Sequence, residues 1–244
     1  SDISSMGATP YAYTLSLCLP ETITKLWLDI FSKKLLQVQK KYNFFLLGGD
    51  ISRSNQIIIS SNFFGLIKKG QILTRTEAKI NDNIWVSGNL GESSIGLAIR
   101  KNLFSLSFKD EKYFVNKYLF PKPCMIGSRL NNIATSAIDI SDGFYGDLEN
   151  LITEKNIGAS IYSNLIPFSN KTKKLIRKKV VDFDYLLSAG DDYELIFTAN
   201  SKKFLMIKQL SKDNNIKITK VGRITQEKGI YLDNMKIKII NKSF

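Results

Sequence analysis

The stretch "NNIATSAIDISDGFYGDLEN", residues 131–150, sets three aspartates and a glutamate against an otherwise apolar run. Ile138, Asp139 and Ile140 alternate as a strand inside a sheet does. Asp139 and Ser141 then point to one face, and Ile138 and Ile140 to the other. A carboxylate buried there is costly unless something positive meets it. The spacing predicts that Ser141 or Asp142 caps a helix beginning near Phe144. Two carboxylates and a hydroxyl would thus sit beside a helix N-terminus, whose free N–H groups and partial positive charge suit phosphate.

The flanking sequence continues in the same mixed grammar. Before it, "IWVSG" reads as a strand, and "ESSIGLAIRKN", "DEKYFVNKYLFPKP" and "MIGSRLNNIA" as helices, the second closed by Pro121 and Pro123. After it come the helix "FYGDLENLITEKN", "GASIYSNLI", "YLLSAGDDYELIFTA", a basic helix and two terminal strands. Nearer the N-terminus, "SDISSMGATP" predicts a short helix stopped before Pro10, and "YAYTLSLCL" a strand. Pro20 and Glu21 start the helix "ETITKLWLDIFSKKLLQVQKKY", with Ile23, Leu26, Trp27, Ile30, Phe31, Leu35 and Val38 as its apolar stripe. "FFLLGG" reads as a buried strand ending in Gly48, Gly49 and Asp50, and "QIIISSNFFGLI" as a strand bulged near Gly65. Glycine and charge over 68–83 mark a boundary, giving domains 1–80 and 81–244. The order fits packed α/β layers with mixed sheets (α+β) rather than a simple parallel βαβ series.

Composition limits the chemistry. The 244 residues include no histidine, which excludes a Ser-His-Asp triad, a histidine general base and the usual zinc sites within these residues. Any metal is then held by oxygen, which favours Mg²⁺, Mn²⁺ or Ca²⁺. Cys18 and Cys124 lie far apart in apolar surroundings and read as reduced, buried thiols, a disulfide being the weaker alternative, with a cytoplasmic protein as the default. The net charge of +13 suits anionic ligands. Its densest cluster, "NKTKKLIRKKVVDF", reads as an amphipathic helix with lysines facing water rather than as a nucleic-acid site, since no zinc finger or aromatic-interleaved motif accompanies it. No stretch approaches the roughly 20 apolar residues of a membrane span.

Three further stretches carry carboxylates. "FFLLGGDISRS" runs an apolar strand into Gly48-Gly49-Asp50, where glycine lets a backbone approach a ligand closely. Arg53, and Arg75 in "LTRTEAK", offer guanidinium forks for phosphate. "SAGDDYEL" sets Asp191, Asp192 and Glu194 after a small pair, and Asp2 opens the first helix. Together these suggest a Mg²⁺-nucleotide site. Taken singly, each has a bland reading as a cap, a turn or a polar loop. "GNLGESSIG", residues 88–96, lacks the G-x-G-x-x-G spacing, and no G-K-[ST] occurs, so neither a Rossmann nor a P-loop site is present.

"SDISSMGATP", "LLGGDISRS", "ILTRTEAKINDNIWVSGNLGESSIGLAI", "AIDISDGFYGDLENL", "SAGDDYELIFTA" and "KVGRIT" stand in the order and spacing of the thiamine-monophosphate kinases, which the chain resembles over nearly its whole length. That family is similar in fold to aminoimidazole ribonucleotide synthetase, selenophosphate synthetase and a hydrogenase maturation protein. The resemblance implies a two-domain architecture of the aminoimidazole ribonucleotide synthetase type. Domain 1–80 would be a partial ATP- and Mg²⁺-binding, dimerising half, and 81–244 the C-terminal half. It implies transfer of the ATP γ-phosphoryl group to thiamine monophosphate, giving thiamine diphosphate, in a homodimer with several Mg²⁺ ions and no nucleic-acid or membrane partner.

Residue by residue, the resemblance implies Asp2, Asp50, Asp139 and Asp142 as metal ligands. Gly49, Asp50, Arg75 and Ser141 would contact ATP, and Asp191 and Phe244 thiamine monophosphate. No protein general acid or base is implied; metal and Arg75 align the charges. It further implies an upstream segment with a "GDDAA" metal motif and a substrate-binding histidine, since this sequence starts inside the family pattern at Ser1-Asp2 and its N-terminal half is incomplete. Ala189 replaces the family's usual glycine, and "KIINKSF" departs from its usual ending. Two other readings stand beside the kinase: a homologue that folds and binds nucleotide without turnover, and a related ATP-dependent synthetase.

Overall fold

The structure, a computed structural model, describes residues 1–237; Phe244 lies outside them. The chain divides into two compact units, Ala8–Lys69 and a larger one formed by Ser1–Gly7 with the chain from Gly70 onward.

The chain opens with α1 (Asp2–Ser5), part of the larger unit. Gly7, at φ +76°, ends that turn, and Pro10 sits inside the following strand rather than stopping the helix. The smaller unit is a sheet of order β2-β1-β3, made of β1 (Thr9–Leu19), β2 (Phe45–Arg53) and β3 (Ile58–Leu66), with α2 (Lys25–Tyr42) on one face. β2 runs parallel to β1 and β3 antiparallel to it. Alternation along β1 sends Tyr13, Leu15, Leu17 and Leu19 towards Trp27, Leu28, Phe31 and Leu35.

α2 starts later than Pro20-Glu21, because Pro20 closes a turn onto Ile23 N (3.1 Å) and Thr24 supplies the cap, accepting the Trp27 N–H at 3.2 Å. That start turns the expected stripe partly outward. Leu26 and Ile30 are 68% and 52% exposed, while Leu28 packs inward. β2 does not end at Gly48-Gly49-Asp50 but continues through them, and it is exposed along its whole length. Edge position leaves it exposed, since among the described residues β2 has one neighbour, β1; the strand runs on through Gly49 because glycine fits there, where a Cβ would stand 1.7 Å from the Leu15 carbonyl oxygen. The bulge expected at Gly65 lies across the ladder, between Pro10 and Ala12 of β1.

The larger unit holds a seven-stranded mixed sheet of order β10-β9-β6-β8-β4-β7-β5. Its elements follow in chain order as β4 (Asn83–Ser87), α3 (Glu92–Arg100), α4 (Phe108–Leu119), α5 (Gly127–Leu130), β5 (Ser136–Asp139), α6 (Phe144–Ile152), β6 (Gly158–Ile161), α7 (Asn170–Arg177), α8 (Phe183–Ser188), β7 (Leu195–Ala199), α9 (Phe204–Asp213), β8 (Ile218–Thr225), β9 (Gly229–Leu232) and β10 (Met235–Lys236). Among the described residues of this sheet, β6 and β9 pair in parallel and the other neighbours antiparallel.

Both faces of this sheet are covered. Ile84, Val86 and Ile196 pack under α3, α6 and α8, whereas Trp85, Leu195 and Phe197 pack with Ile207 and Leu210 of α9. Strand periodicity and two apolar layers thus fix the register, since a one-residue slip would exchange the faces. On α7 only Thr172 and Leu175 are buried; Lys173, Lys174 and Arg177 face water, as the amphipathic pattern requires. Cys18 and Cys124 are free thiols. Among the described residues no helix is long and apolar enough to cross a membrane.

Candidate functional site

Within the larger unit a cleft of about 360 Å³ is lined by Asp2, Arg75, Asp139, Ser141, Asp142 and Asp147, among others. Each wall has its own local cause. α1 brings Asp2 because Ser4 Oγ donates to the Cys124 carbonyl at 2.7 Å and accepts the Gly127 N–H at 3.1 Å. A Cβ on Gly127 would lie 1.5 Å from the Ser4 carbonyl oxygen, so glycine lets the two short helices meet. Arg75 arrives on a segment that runs beside β5, where the Ala137 N–H donates to the Thr74 carbonyl at 3.3 Å. Asp139 ends β5, and Ser141 and Asp142 occupy the turn into α6.

That turn corrects one expectation. Neither Ser141 nor Asp142 caps α6; its cap position is Gly143, at φ +106°, without a side-chain bond. Instead Asp147, from the first turn of the helix, reaches back and accepts the Ser141 and Asp142 N–H groups, each at 3.0 Å. The Ser141 hydroxyl and Asp142 carboxylate are thereby released from capping and stand at the cleft.

The cleft is electrostatically unbalanced. Asp139 is only 5% exposed, and burial pushes its carboxyl above the usual range, with Asp2 adding to the effect. The Ser1 hydroxyl, donating at 2.5 Å, opposes that shift. Burial likewise pushes the Asp147 carboxyl up to about 6, offset by the N–H groups of Asp142 and Ser141 and reinforced by the charges of Asp142 and Asp139. Arg75 faces this group from a half-exposed position, with Glu154 3.8 Å away as a weak partner. Among the described residues no group of three or more His, Cys, Asp or Glu side chains is arranged to hold a metal ion.

The "GDDYEL" segment packs on the same turn. Asp191 N donates to the Ser141 carbonyl at 3.0 Å and Tyr193 N to the Ile140 carbonyl at 2.8 Å. Both residues have positive φ, +69° and +51°. The alternate backbone throws the two aspartates apart. Asp191 Oδ1 accepts the Tyr193 hydroxyl at 2.9 Å, whereas Asp192 Oδ2 accepts the Gly91 N–H at the start of α3, at 2.8 Å. Glu194 takes the Ser87 hydroxyl and fills the space beside Gly88, where a Cβ would lie 1.8 Å from its Oε1. "GNLG" is therefore a seat for Asp192 and Glu194. Around them Glu92 pairs with Lys117 at 2.7 Å and accepts the Tyr113 hydroxyl at 2.6 Å.

Of the residues singled out from sequence, Asp2, Arg75, Asp139, Ser141 and Asp142 line one cleft. Gly49 and Asp50 stand on β2 of the smaller unit, where Asp50 accepts the Ser52 hydroxyl at 2.8 Å. Arg53 pairs with Glu21 at 2.8 Å. Asp147, Ser1 and Tyr193 were not anticipated. For Asp147 the signal was present: a carboxylate in the first turn of a helix whose cap is glycine.

Models of the AIR synthase related protein family match this chain, the N-terminal domain over residues 1–67 and the C-terminal domain over residues 79–233. A thiamine-monophosphate kinase of Buchnera aphidicola (subsp. Acyrthosiphon pisum) is 38% identical over 248 residues, spanning 99% of this chain and 75% of the relative. The chain belongs to the thiamine-monophosphate kinase family. The crystal structure of thiamine-monophosphate kinase from Stenotrophomonas maltophilia K279a superposes with a TM-score of 0.88 at 30% identity, over 97% of this chain and 76% of that one. A structure of AaThiL complexed with AMPPCP and TMP superposes with a TM-score of 0.85 at 26% identity, over 97% and 74%. The α/β architecture with mixed sheets is thus that of the thiamine-monophosphate kinases.

Proposed function

We propose that this protein transfers the γ-phosphoryl group of ATP to the phosphate of thiamine monophosphate, giving thiamine diphosphate. The observation that carries this reading is the convergence of Asp2, Arg75, Asp139, Ser141 and Asp142 on one cleft, in a chain of the thiamine-monophosphate kinase family. AMPPCP, an ATP analogue, and TMP are the two ligands named for the AaThiL complex.

The acceptor is already a phosphate and needs no general base near neutral pH. The obstacle is bringing two anions together, so charge neutralisation and alignment matter most. Arg75, held only loosely by Glu154, is free to turn its planar fork onto phosphate oxygens. The Ser141 hydroxyl, relieved of capping, offers a donor to the nucleotide. Asp191 lies on the substrate side, where its carboxylate suits the cationic ring and amino group of thiamine. Gly49 and Asp50 of β2 complete the proposed nucleotide contacts; Phe244, the remaining candidate for the substrate, lies outside the described residues.

Mg²⁺ fits the donor set in kind. The candidate ligands Asp2, Asp50, Asp139 and Asp142 offer only hard oxygens, and Asp139 is a buried carboxylate whose side-chain partner is a neutral hydroxyl. When bound, the ions would offset phosphate charge along the transfer path. Two free cysteines accord with a reducing, cytoplasmic location. The open edges and exposed apolar side chains of β2 and β3 suit a homodimer with a second copy of this chain.

The test is formation of thiamine diphosphate from ATP and thiamine monophosphate with Mg²⁺, run beside Asp139→Asn. Product that falls by more than about a hundredfold in a folded variant supports the reading. Full activity of Asp139→Asn would remove the cleft from the mechanism, and no product from the parent protein despite ATP binding would overturn the kinase assignment.

A further inference from the structure

The structure assigns Tyr193 a positioning role: its hydroxyl sets the direction of the Asp191 carboxylate towards thiamine monophosphate. This rests on the reading of Asp191 as a substrate-side residue. Three observations carry it. The first is the hydrogen bond itself, from Tyr193 Oη to Asp191 Oδ1 at 2.9 Å. Among the described residues Asp191 Oδ2 meets no protein donor, so one oxygen is fixed and the other remains for a ligand.

The second is the backbone. Asp191 and Tyr193 both hold the left-handed conformation, which residues with a Cβ rarely adopt. They are pinned there by the successive carbonyls of Ser141 and Ile140, while the Cys124 N–H donates to the Tyr193 carbonyl at 2.9 Å. Gly190 lies flush on the same turn, where a Cβ would stand 1.9 Å from the Ser141 carbonyl oxygen. Left-handed residues at alternate positions bring the side chains of 191 and 193 to the same side, and send that of 192 away to α3. Nothing in the α3 seat needs the phenol, because Asp192 and Glu194 have their own partners there.

The third is the neighbourhood. Burial pushes the Tyr193 hydroxyl up to about 12, with the bond to Asp191 and the charges of Asp191, Asp139 and Asp2 adding to the effect. A neutral donor at this point binds Asp191 without cancelling its charge, which a lysine or arginine would do. The carboxylate is thus directed without a cationic partner of its own, which suits a ligand that is cationic or rich in N–H donors.

The experiment is a double-mutant cycle of Tyr193→Phe and Asp191→Ala, read by KM and kcat for each substrate and by calorimetric Kd for thiamine monophosphate. Thermal melting of each variant confirms folding. Tyr193→Phe should raise KM and Kd for thiamine monophosphate roughly two- to tenfold, the worth of one hydrogen bond, with kcat and KM for ATP unchanged. With Asp191→Ala already present, the acceptor is gone and Tyr193→Phe should add nothing. A folded Tyr193→Phe with unchanged affinity, or effects that add fully, would overturn the positioning role while leaving Asp191 in place. An inert Asp191→Ala would instead overturn the substrate-side reading of Asp191, and the role of Tyr193 with it.

Discussion

Asp147 Oδ2 accepts the backbone N–H of Asp142 at 3.0 Å, and that of Ser141 at the same distance. One carboxylate therefore organises the turn that carries two cleft residues, yet never needs to touch a ligand. Asp147→Ala strands two N–H groups at a helix entrance and should cost about 1–2 kcal/mol. Asp147→Asn keeps an oxygen acceptor and should cost less. Urea denaturation of the two variants checks the order, and an alanine variant as stable as the parent would refute the organising role.

Gly127 meets Ser4 where no side chain fits, a Cβ falling 1.5 Å from the Ser4 carbonyl oxygen. Gly127→Ala must push α1 away or distort α5, at about 1–3 kcal/mol for the overpacking. Since α1 carries Asp2 to the cleft, turnover should fall further than the lost stability explains. Turnover measured well below the melting transition, beside the shift in Tm, separates the two effects. A variant with full turnover would mean that the placement of Asp2 is not what the glycine serves.

Asp192 provides the pH-dependent contribution. Desolvation pushes its folded-state carboxyl up to about 8, opposed by the Gly91 N–H and reinforced by Glu194 and Glu92, the latter paired with Lys117. The unfolded value is about 3.9. Between these values the folded state holds a proton that the unfolded state has released. The contribution is therefore fully present below about pH 4 and is lost as pH rises through about 8. Glu194 is also raised by burial and acts in the same direction. Chemical denaturation should show a lower midpoint at pH 8 than at pH 5, and Asp192→Asn should flatten, without abolishing, that difference. An unchanged slope would assign the pH dependence to other groups.

Much of this was legible in the sequence because it depends on local rules. The alternation of "SAIDIS" set Asp139 on β5, and the strands and helices flanking it fell where apolar periodicity put them. What failed depended on tertiary context. Leu26 and Ile30 share a helical period with Trp27, but the Thr24 cap fixed where α2 begins and so which side chains meet β1. "FFLLGG" is as apolar as a central strand, and no local feature shows that β2 has a neighbour on one side only. The cleft was readable as a set of carboxylates, whereas its supports were not. Asp147 and Tyr193 act through hydrogen bonds that exist only once a glycine-capped turn and two left-handed residues have formed.

The last prediction concerns the face of the smaller sheet away from α2. Phe63 stacks on Tyr13 beneath α2, with ring centroids 5.2 Å apart, so Phe64 points to the opposite face. Phe45 and Phe64 flank Ala12 there, and Ile58 lies on the same side six residues along β3. These side chains are 45%, 47% and 51% exposed, an apolar border around the polar centre of Thr14, Ser16 and Asn62. A second copy of the same face would cover them, and a stable interface needs roughly 1,200–2,000 Å² in total. Sedimentation should give twice the 27.6 kDa chain mass. A Phe64→Glu, Ile58→Lys double variant should shift the protein to monomer, because it places charges in a desolvated interface. A parent protein that is monomeric at tens of micromolar, or a double variant that dimerises as before, would rule this face out as the contact.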